Sequence, residues 1–160
     1  MKNPILALAR AIAAWRGRSE VPTGLIPLKK VRRATVFVDA LQAEEDPERI
    51  SRAVSQYFAY MEIPVRILCP GKEDLNWMGY RKSALRAADP DPEDLFISLA
   101  GSPENFASEY EARCSRACFK VGRCQLPGDV FDLVVAESGD TRASQTAAFS
   151  SIKDYLTKIR

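Results

Sequence analysis

The sequence contains no histidine. This absence excludes nucleophilic systems that depend on a histidine base, as well as histidine general acids and histidine metal ligands. In other respects the composition is that of a globular domain, because 46% of the 160 residues are hydrophobic and 28% are charged. A chain of this length buries enough surface to fold as one domain without disulfides or bound metals.

A glycine-rich phosphate loop is also absent. The first strand-like run ends at Asp39, and residues 40–45 contain no glycine and end in two carboxylates. Nucleotide-binding α/β proteins need glycines at this turn, because their backbone approaches the phosphates closely. We therefore expect neither NAD nor ATP at this turn, and we expect no other cofactor.

Cysteine is scarce, and its spacing lacks the paired short intervals of structural zinc sites. The four cysteines lie at positions 69, 114, 118 and 124, and we expect them to be small core residues rather than metal ligands. The apolar stretch 5–15 is interrupted by Arg10 and is too short to span a bilayer. The sequence therefore predicts a cytoplasmic chain with reduced thiols, no secretory segment and no membrane span.

Charge is distributed unevenly along the chain. Residues 1–33 hold eight basic residues and one acid, a net charge of +7, whereas the other 127 residues hold 15 bases and 20 acids, a net charge of −5. This division predicts a basic N-terminal helix and linker over 1–32 and a single domain over 33–160. A basic arm binds nucleic acid, an anionic membrane or an acidic partner, or folds back on its own acidic domain.

The hydrophobic pattern predicts strands that alternate with helices. The predicted strands are compact apolar runs at 34–38, 65–69, 95–99, 119–121 and 131–135. The predicted helices cover 4–17, 47–61, 83–88, 102–117 and about 141–158. This alternation predicts an α/β fold: a three-layer, Rossmann-like (flavodoxin-like), mostly parallel sheet of about five strands with an extra N-terminal helix.

Parallel sheets bind ligands beyond the carboxyl ends of their strands. The polar and aromatic residues predicted at that edge are Asp39, Glu44, Glu45, Asn76, Trp77, Ser102, Asn105, Arg123, Glu137, Ser138 and Asp140. From this set we select a candidate ligand site of Asn76, Trp77, Ser102, Asn105 and Arg123, and we assign no catalytic residue. The predicted helix start at Ser102 would offer free backbone N–H groups to an anion. Trp77 either covers an edge of the core or contacts a ligand or partner.

The N-terminal arm is the second candidate surface. Its candidate interaction residues are Trp15, Arg16, Arg18, Lys29 and Lys30. The helix carries an apolar stripe, which docks either on the domain or on a second copy of the chain, so a protein partner or a homodimer is the expected mode. An aromatic ring among bases is also typical of proteins that bind single-stranded nucleic acid, but the acidic domain argues against nucleic acid as the partner.

Several segments resemble a family of short bacterial proteins of unknown function, in which a basic helix precedes one α/β domain. The matching features are the basic arm and the strand ending at Asp39, together with Asp74, Leu75, Asn76, Trp77, Gly79, Lys82, Asp94, Leu95, Ile97, Leu99, Asn105, Phe106, Phe119, Lys120, Val121 and Gly122. This resemblance covers most of the chain and implies the fold, but it implies no activity.

A weaker resemblance covers about 30 residues of strand–helix–strand pattern. Residues 94–99 and the helix after them, with Ala117 and residues 119–122, look like part of the N-terminal domain of heptosyltransferase-type glycosyltransferases. Those enzymes bind their nucleotide sugar largely through a second domain, which we do not expect in this chain, and a shared fold does not transfer activity.

These observations favour a non-catalytic binding or protein-interaction module. The first alternative is a small enzyme, or a subunit of one, related to a glycosyltransferase acceptor domain. The second alternative is a protein that binds nucleic acid through its basic arm.

Overall fold

The computed structural model describes residues 3–42, 45–87, 92–135 and 144–160. Its sheet consists of β1 (Ala34–Phe37), β2 (Val65–Leu68), β3 (Leu95–Ser98), β4 (Phe119–Gly122) and β5 (Leu133–Val134). All neighbouring strands pair in parallel, in the order β2-β1-β3-β4-β5. The predicted α/β class and parallel sheet are therefore confirmed.

Helices flank the sheet on both sides. They are α1 (Pro4–Gly17), α2 (Pro47–Tyr60), α3 (Ser83–Ala87), α4 (Phe106–Cys114) and α5 (Gln145–Lys158), with short 3₁₀ turns at Leu28–Lys30 and Lys72–Asp74. The predicted starts of α1 and α2 are confirmed, because the side chains of Asn3 and Asp46 accept hydrogen bonds from N–H groups of the first turn. Among the described residues, none of these helices has both the length and the hydropathy of a membrane-spanning segment.

Three predicted boundaries differ from the structure. The fourth helix begins at Phe106 rather than at Ser102, because the Asn105 side chain caps it by accepting the Ser108 N–H at 3.1 Å. It ends at Cys114, before the predicted end at 117, and β5 has only two of the five predicted residues. The predicted start of the last helix, at 141, lies outside the described residues.

The two faces of the sheet have separate cores. On one face, the inward side chains of β1, β3 and β4 pack with α2 and α5, and Val36, Ile97 and Phe58 are fully buried there. On the other face, Phe37 and Phe96 pack with the small residues of α4. Apolar side chains on both faces explain why the strands read as continuous hydrophobic runs.

The linker between α1 and β1 lies against the domain. Its backbone donates hydrogen bonds from Ser19 to the Arg113 carbonyl and from Gly24 to the Cys118 carbonyl, both at 2.8 Å. The Thr23 hydroxyl donates to the Asp132 carboxylate at 2.7 Å. These contacts hold the arm at the ends of α4 and β4, and they set the position of α1.

Candidate functional site

Polar groups at the carboxyl end of β1 hold it to the start of α5. The Asp39 carboxylate accepts the N–H groups of Leu41 and Gln42, each at 2.9 Å. Gln145 accepts the Asp39 N–H and donates to the Asp39 carbonyl, both at 2.9 Å, and its own N–H donates to the Glu45 carboxylate. The side chains of Asp39 and Glu45 therefore close a turn and cap a helix, as structural carboxylates do.

Ser102, Asn105 and Arg123 make similar internal contacts. The Ser102 hydroxyl accepts the Glu104 N–H at 3.1 Å, and Asn105 is buried as the cap of α4. Because the helix starts after these residues, the prediction of a helix start with free N–H groups at Ser102 is wrong. Arg123 donates to the Leu99 carbonyl at 3.0 Å and lies beside Gly101, so it links the ends of β3 and β4.

Asn76 shapes the loop in which it lies. Its carboxamide oxygen accepts the N–H groups of Met78 and Tyr80 at 2.9 and 3.1 Å, and its own N–H donates to the Tyr80 carbonyl. Gly79 completes the turn with a φ of 82°, a conformation that favours glycine. Trp77, at the tip, is 68% exposed, so it does not cover an edge of the core.

The five residues of the candidate ligand site lie in the segments that follow β2, β3 and β4, and the site stays a prediction. Ser102, Asn105 and Arg123 lie in the segments that follow β3 and β4, whereas Asn76 contacts its own loop and Trp77 projects from it. The predicted edge residues Glu44, Glu137, Ser138 and Asp140 lie outside the described residues.

The loop of residues 76–80 is fixed to α4 by stacking and ion pairing. The rings of Tyr80 and Tyr110 lie parallel, with centroids 4.1 Å apart. Next to them, the buried Glu111 carboxylate accepts from Arg81 at 2.8 Å and from Arg86 at 2.7 Å. Burial, and to a smaller extent the Glu109 carboxylate, raises the pKa of Tyr80 to about 12.

The helix α1 docks on this assembly through a face of small residues and one arginine. Arg10 donates to the Met78 carbonyl at 2.9 Å, and its guanidinium lies 3.7 Å from the centre of the Phe106 ring. A Cβ atom at Gly17 would lie 2.8 Å from the Cys114 sulfur, so the absent side chain permits close approach. Sequence reasoning missed this face, although Ala9, Ala13 and Gly17 recur at four-residue intervals.

The opposite face of α1 carries large apolar side chains that are exposed. Ile5 is 73% exposed, Leu8 62%, Ile12 44% and Trp15 65%. We call these four residues the α1 seam. The helix does dock on the domain, one of the two predicted alternatives, but it does so through its other face, and the apolar stripe itself remains at the surface.

An open groove adjoins the α1 seam. It has a volume of about 540 Å³ and is lined by Ala9, Ile12, Ala13, Arg16, Gly17, Met78 and Tyr110. Arg16 therefore lies between the seam and the groove, and the Arg18 guanidinium lies 5.6 Å from the centre of the Trp15 ring. Lys29 and Lys30 are exposed in the 3₁₀ turn of the linker, apart from α1 in the chain.

The four cysteines are half-buried, so the expectation that they are core residues holds only in part, with Cys69 packed against the core. All four are free thiols, and burial raises the pKa values of Cys69, Cys114 and Cys124. Within the described ranges, no three cysteine or carboxylate side chains form a group that suits a metal ion.

No protein-family model, no curated protein and no solved structure matches this chain. The two resemblances noted in the sequence therefore stay predictions, and the surface of the molecule is the remaining evidence for its function.

Proposed function

We propose that this chain is a non-catalytic protein-interaction module that binds its partner through the α1 seam and the groove beside it. One observation carries the proposal: four large apolar side chains are exposed in a row on a helix whose opposite face is fixed to the domain. Contiguous apolar surface of this kind marks interaction sites in globular proteins.

The energetics support a binding surface. Burying one large aliphatic or aromatic side chain contributes about 1.5–3 kcal/mol, so four such side chains supply a substantial part of the free energy of a specific complex. Because Arg10 and Gly17 already hold α1 against α4, the helix is ordered before a partner arrives. Binding to a preformed surface avoids the entropic cost of ordering that surface.

The free thiols and the absence of histidine fit a binding role in a reducing compartment. We extend the proposal to a bacterial cytoplasmic protein, in line with the family that the sequence resembles.

Site-specific photo-crosslinking in the cells that make this protein tests the proposal. A photoreactive residue is placed at Leu8 or Ile12, and the matched control is placed at Tyr60, which is 84% exposed on α2. We expect one discrete adduct of the same partner from both seam positions and none from Tyr60. The crosslinked partner, once purified, should bind the purified chain, and Leu8→Ser should weaken that binding at least about tenfold.

The proposal is wrong if the seam positions give no adduct, or if Tyr60 gives the same set of adducts. Turnover of a nucleotide sugar that Arg123→Ala abolishes would also contradict it, and would favour the enzyme alternative.

A further inference from the structure

We infer that the partner of the α1 seam is a single amphipathic helix with acidic flanks, contributed by another protein. This inference rests on the proposed function and specifies the chemistry of the partner. It is carried by the spacing of the seam residues, by the charges around them and by the groove next to them.

The spacing of the seam residues fits one partner helix. Ile5, Leu8, Ile12 and Trp15 are separated by three, four and three residues, which is the a/d pattern of a coiled coil. Successive helical residues are about 100° apart, so the four side chains lie within an arc of about 80°. Isoleucine at a and leucine at d favour two-stranded pairing.

The groove gives a partner helix more than one row of contacts. Ile12 belongs both to the seam and to the lining of the groove, whose other wall includes Met78 and Tyr110. A side chain that projects from a helix lying on the seam can therefore enter the groove beside Arg16. Methionine and tyrosine are common in such surfaces, because both adapt their apolar surface to a partner.

The charges around the seam favour an acidic partner. Residues 3–19 contain no acidic residue, and both Arg16 and Arg18 are exposed at the end of α1. Two carboxylates of α4 already have basic partners, since Glu109 pairs with Arg113 at 3.0 Å and Glu111 pairs with two arginines. Complementary charge at the rim selects the partner and speeds its association.

A second copy of this chain fits less well. Parallel pairing of two α1 helices places Arg16 and Arg18 of one copy beside the same residues of the other. Antiparallel pairing places these arginines beside the N-terminus of the other helix, where the helix dipole is also positive. Both arrangements bring like charges together, which destabilises a complex.

A lipid surface also fits less well. A helix that lies in a membrane interface has a strongly charged face rich in lysine and arginine. The helix α1 has two arginines, and one of them, Arg10, already donates to the Met78 carbonyl.

Two synthetic helical peptides test the inference. Both carry leucines at a and d, and the flanking positions are glutamate in one peptide and lysine in the other. Each is labelled and titrated with the full chain at low salt, and binding is followed by fluorescence anisotropy. We expect the acidic peptide to bind at least about tenfold more tightly than the basic peptide, with a preference that declines as salt rises.

Charge reversal on the protein sharpens the test. Arg16→Glu combined with Arg18→Glu should reverse the preference between the two peptides. The matched control is Arg49→Glu combined with Arg52→Glu, which makes the same change in net charge on the exposed side of α2 and should keep the wild-type preference. Leu8→Ser should weaken the binding of both peptides. Circular dichroism verifies that each variant is folded.

Each of the following results would overturn the inference. The first is equal affinity for the two peptides. The second is a homodimer in sedimentation equilibrium that Leu8→Ser dissociates, which would assign the seam to a second copy. The third is cosedimentation with phosphatidylglycerol vesicles that Leu8→Ser abolishes, which would assign it to a lipid surface.

The fourth result separates this inference from the proposed function. Discrete crosslinks at Leu8 together with no binding of either peptide would keep the interaction module and reject the helical partner. The absence of both crosslinks and peptide binding would reject the two proposals together.

Discussion

The rings of Tyr80 and Tyr110 lie 4.1 Å apart with an angle of 6° between their planes. This stack joins the loop of residues 76–80 to α4, and the Tyr80 hydroxyl also reaches the Arg10 carbonyl of α1 at 3.4 Å. One buried aromatic side chain thus connects three elements, and the position of the exposed seam depends on it.

Replacing Tyr80 tests this connection. We expect Tyr80→Ala to lower the free energy of unfolding by about 3 kcal/mol, because it removes a buried ring and leaves a cavity. Amide hydrogen exchange in α1 should accelerate in the same variant. Tyr60→Ala, at an exposed ring, should change the free energy of unfolding by less than about 0.5 kcal/mol. Equal losses from the two variants in urea titrations would contradict the role given to the stack.

Gly17 provides a test of the close contact between α1 and α4. A Cβ atom there would lie 2.8 Å from the Cys114 sulfur and 2.9 Å from the Tyr110 hydroxyl. We expect Gly17→Leu to cost about 1–3 kcal/mol through overpacking and to increase proteolysis within α1. Gly24→Leu is the matched control, since no atom lies within 4 Å of a Cβ added there. If limited proteolysis releases α1 equally in both variants, the close contact is not what holds the helix.

The two ion pairs of Glu111 differ in burial, and we expect them to differ in their contribution to stability. Its carboxylate and the Arg81 side chain are both buried, whereas the Arg86 side chain is 27% exposed. Glu111→Ala removes the charged hydrogen bonds between its carboxylate and the buried Arg81 guanidinium, so we expect a loss of about 1.5–3 kcal/mol. Arg86→Ala should cost about 1 kcal/mol or less. Thermal unfolding of both variants measures which of them loses more stability. A larger loss in Arg86→Ala would contradict the greater importance of the buried pair.

Because the pKa of the Tyr80 phenol is raised in the fold, we expect the free energy of unfolding to fall at alkaline pH. Its pKa rises from 10.0 in the ordinary phenol to about 12 in the fold, so the folded state favours the protonated form. The contribution of this group is present below pH 10 and is lost as the pH rises from 10 through about 12. We expect Tyr80→Phe to make the decline of stability over this interval shallower. Urea titrations of the wild type and of this variant across the same pH range measure the two slopes, and equal slopes would contradict the role given to this phenol.

The strands and the sheet class were predictable from the sequence for a simple physical reason. Strands buried on both faces are largely apolar, and β1 and β3 are of this kind, whereas the edge strand β2 is half-buried and contains Arg66. The caps at Asn3 and Asp46 were equally clear, since a capping side chain followed by proline marks the start of a helix.

The orientation of α1 was not predictable in the same way. One apolar face of α1 carries large side chains and the other carries small ones. The hydrophobic pattern favours burial of the face with the large residues Ile5, Leu8 and Ile12. The domain packs against the small face instead, because the Gly17 contact and the Arg10 bonds require close approach. The start of α4 was ambiguous for another reason, because Ser102 and Asn105 are both good caps and lie three residues apart.

The contacts of the candidate ligand residues could not be predicted from the sequence. A polar residue after a strand gives the same sequence pattern whether its side chain faces a ligand or closes a turn. In the structure, Asn76 and Ser102 close turns. The sequence shows the hydrophobic stripe of the α1 seam. It does not show that the stripe is exposed, because exposure depends on which face of α1 packs against the domain.

The contact between Arg10 and Tyr80 has a consequence for the order of events during synthesis. The two residues are 70 positions apart in the chain, and a ribosome adds about 5–20 residues per second. The helix with the apolar seam is thus made roughly 4–14 seconds before the loop that positions it. During that interval the contact that fixes the docked face of α1 cannot form, so the small face of the helix is open to other contacts as well as the seam.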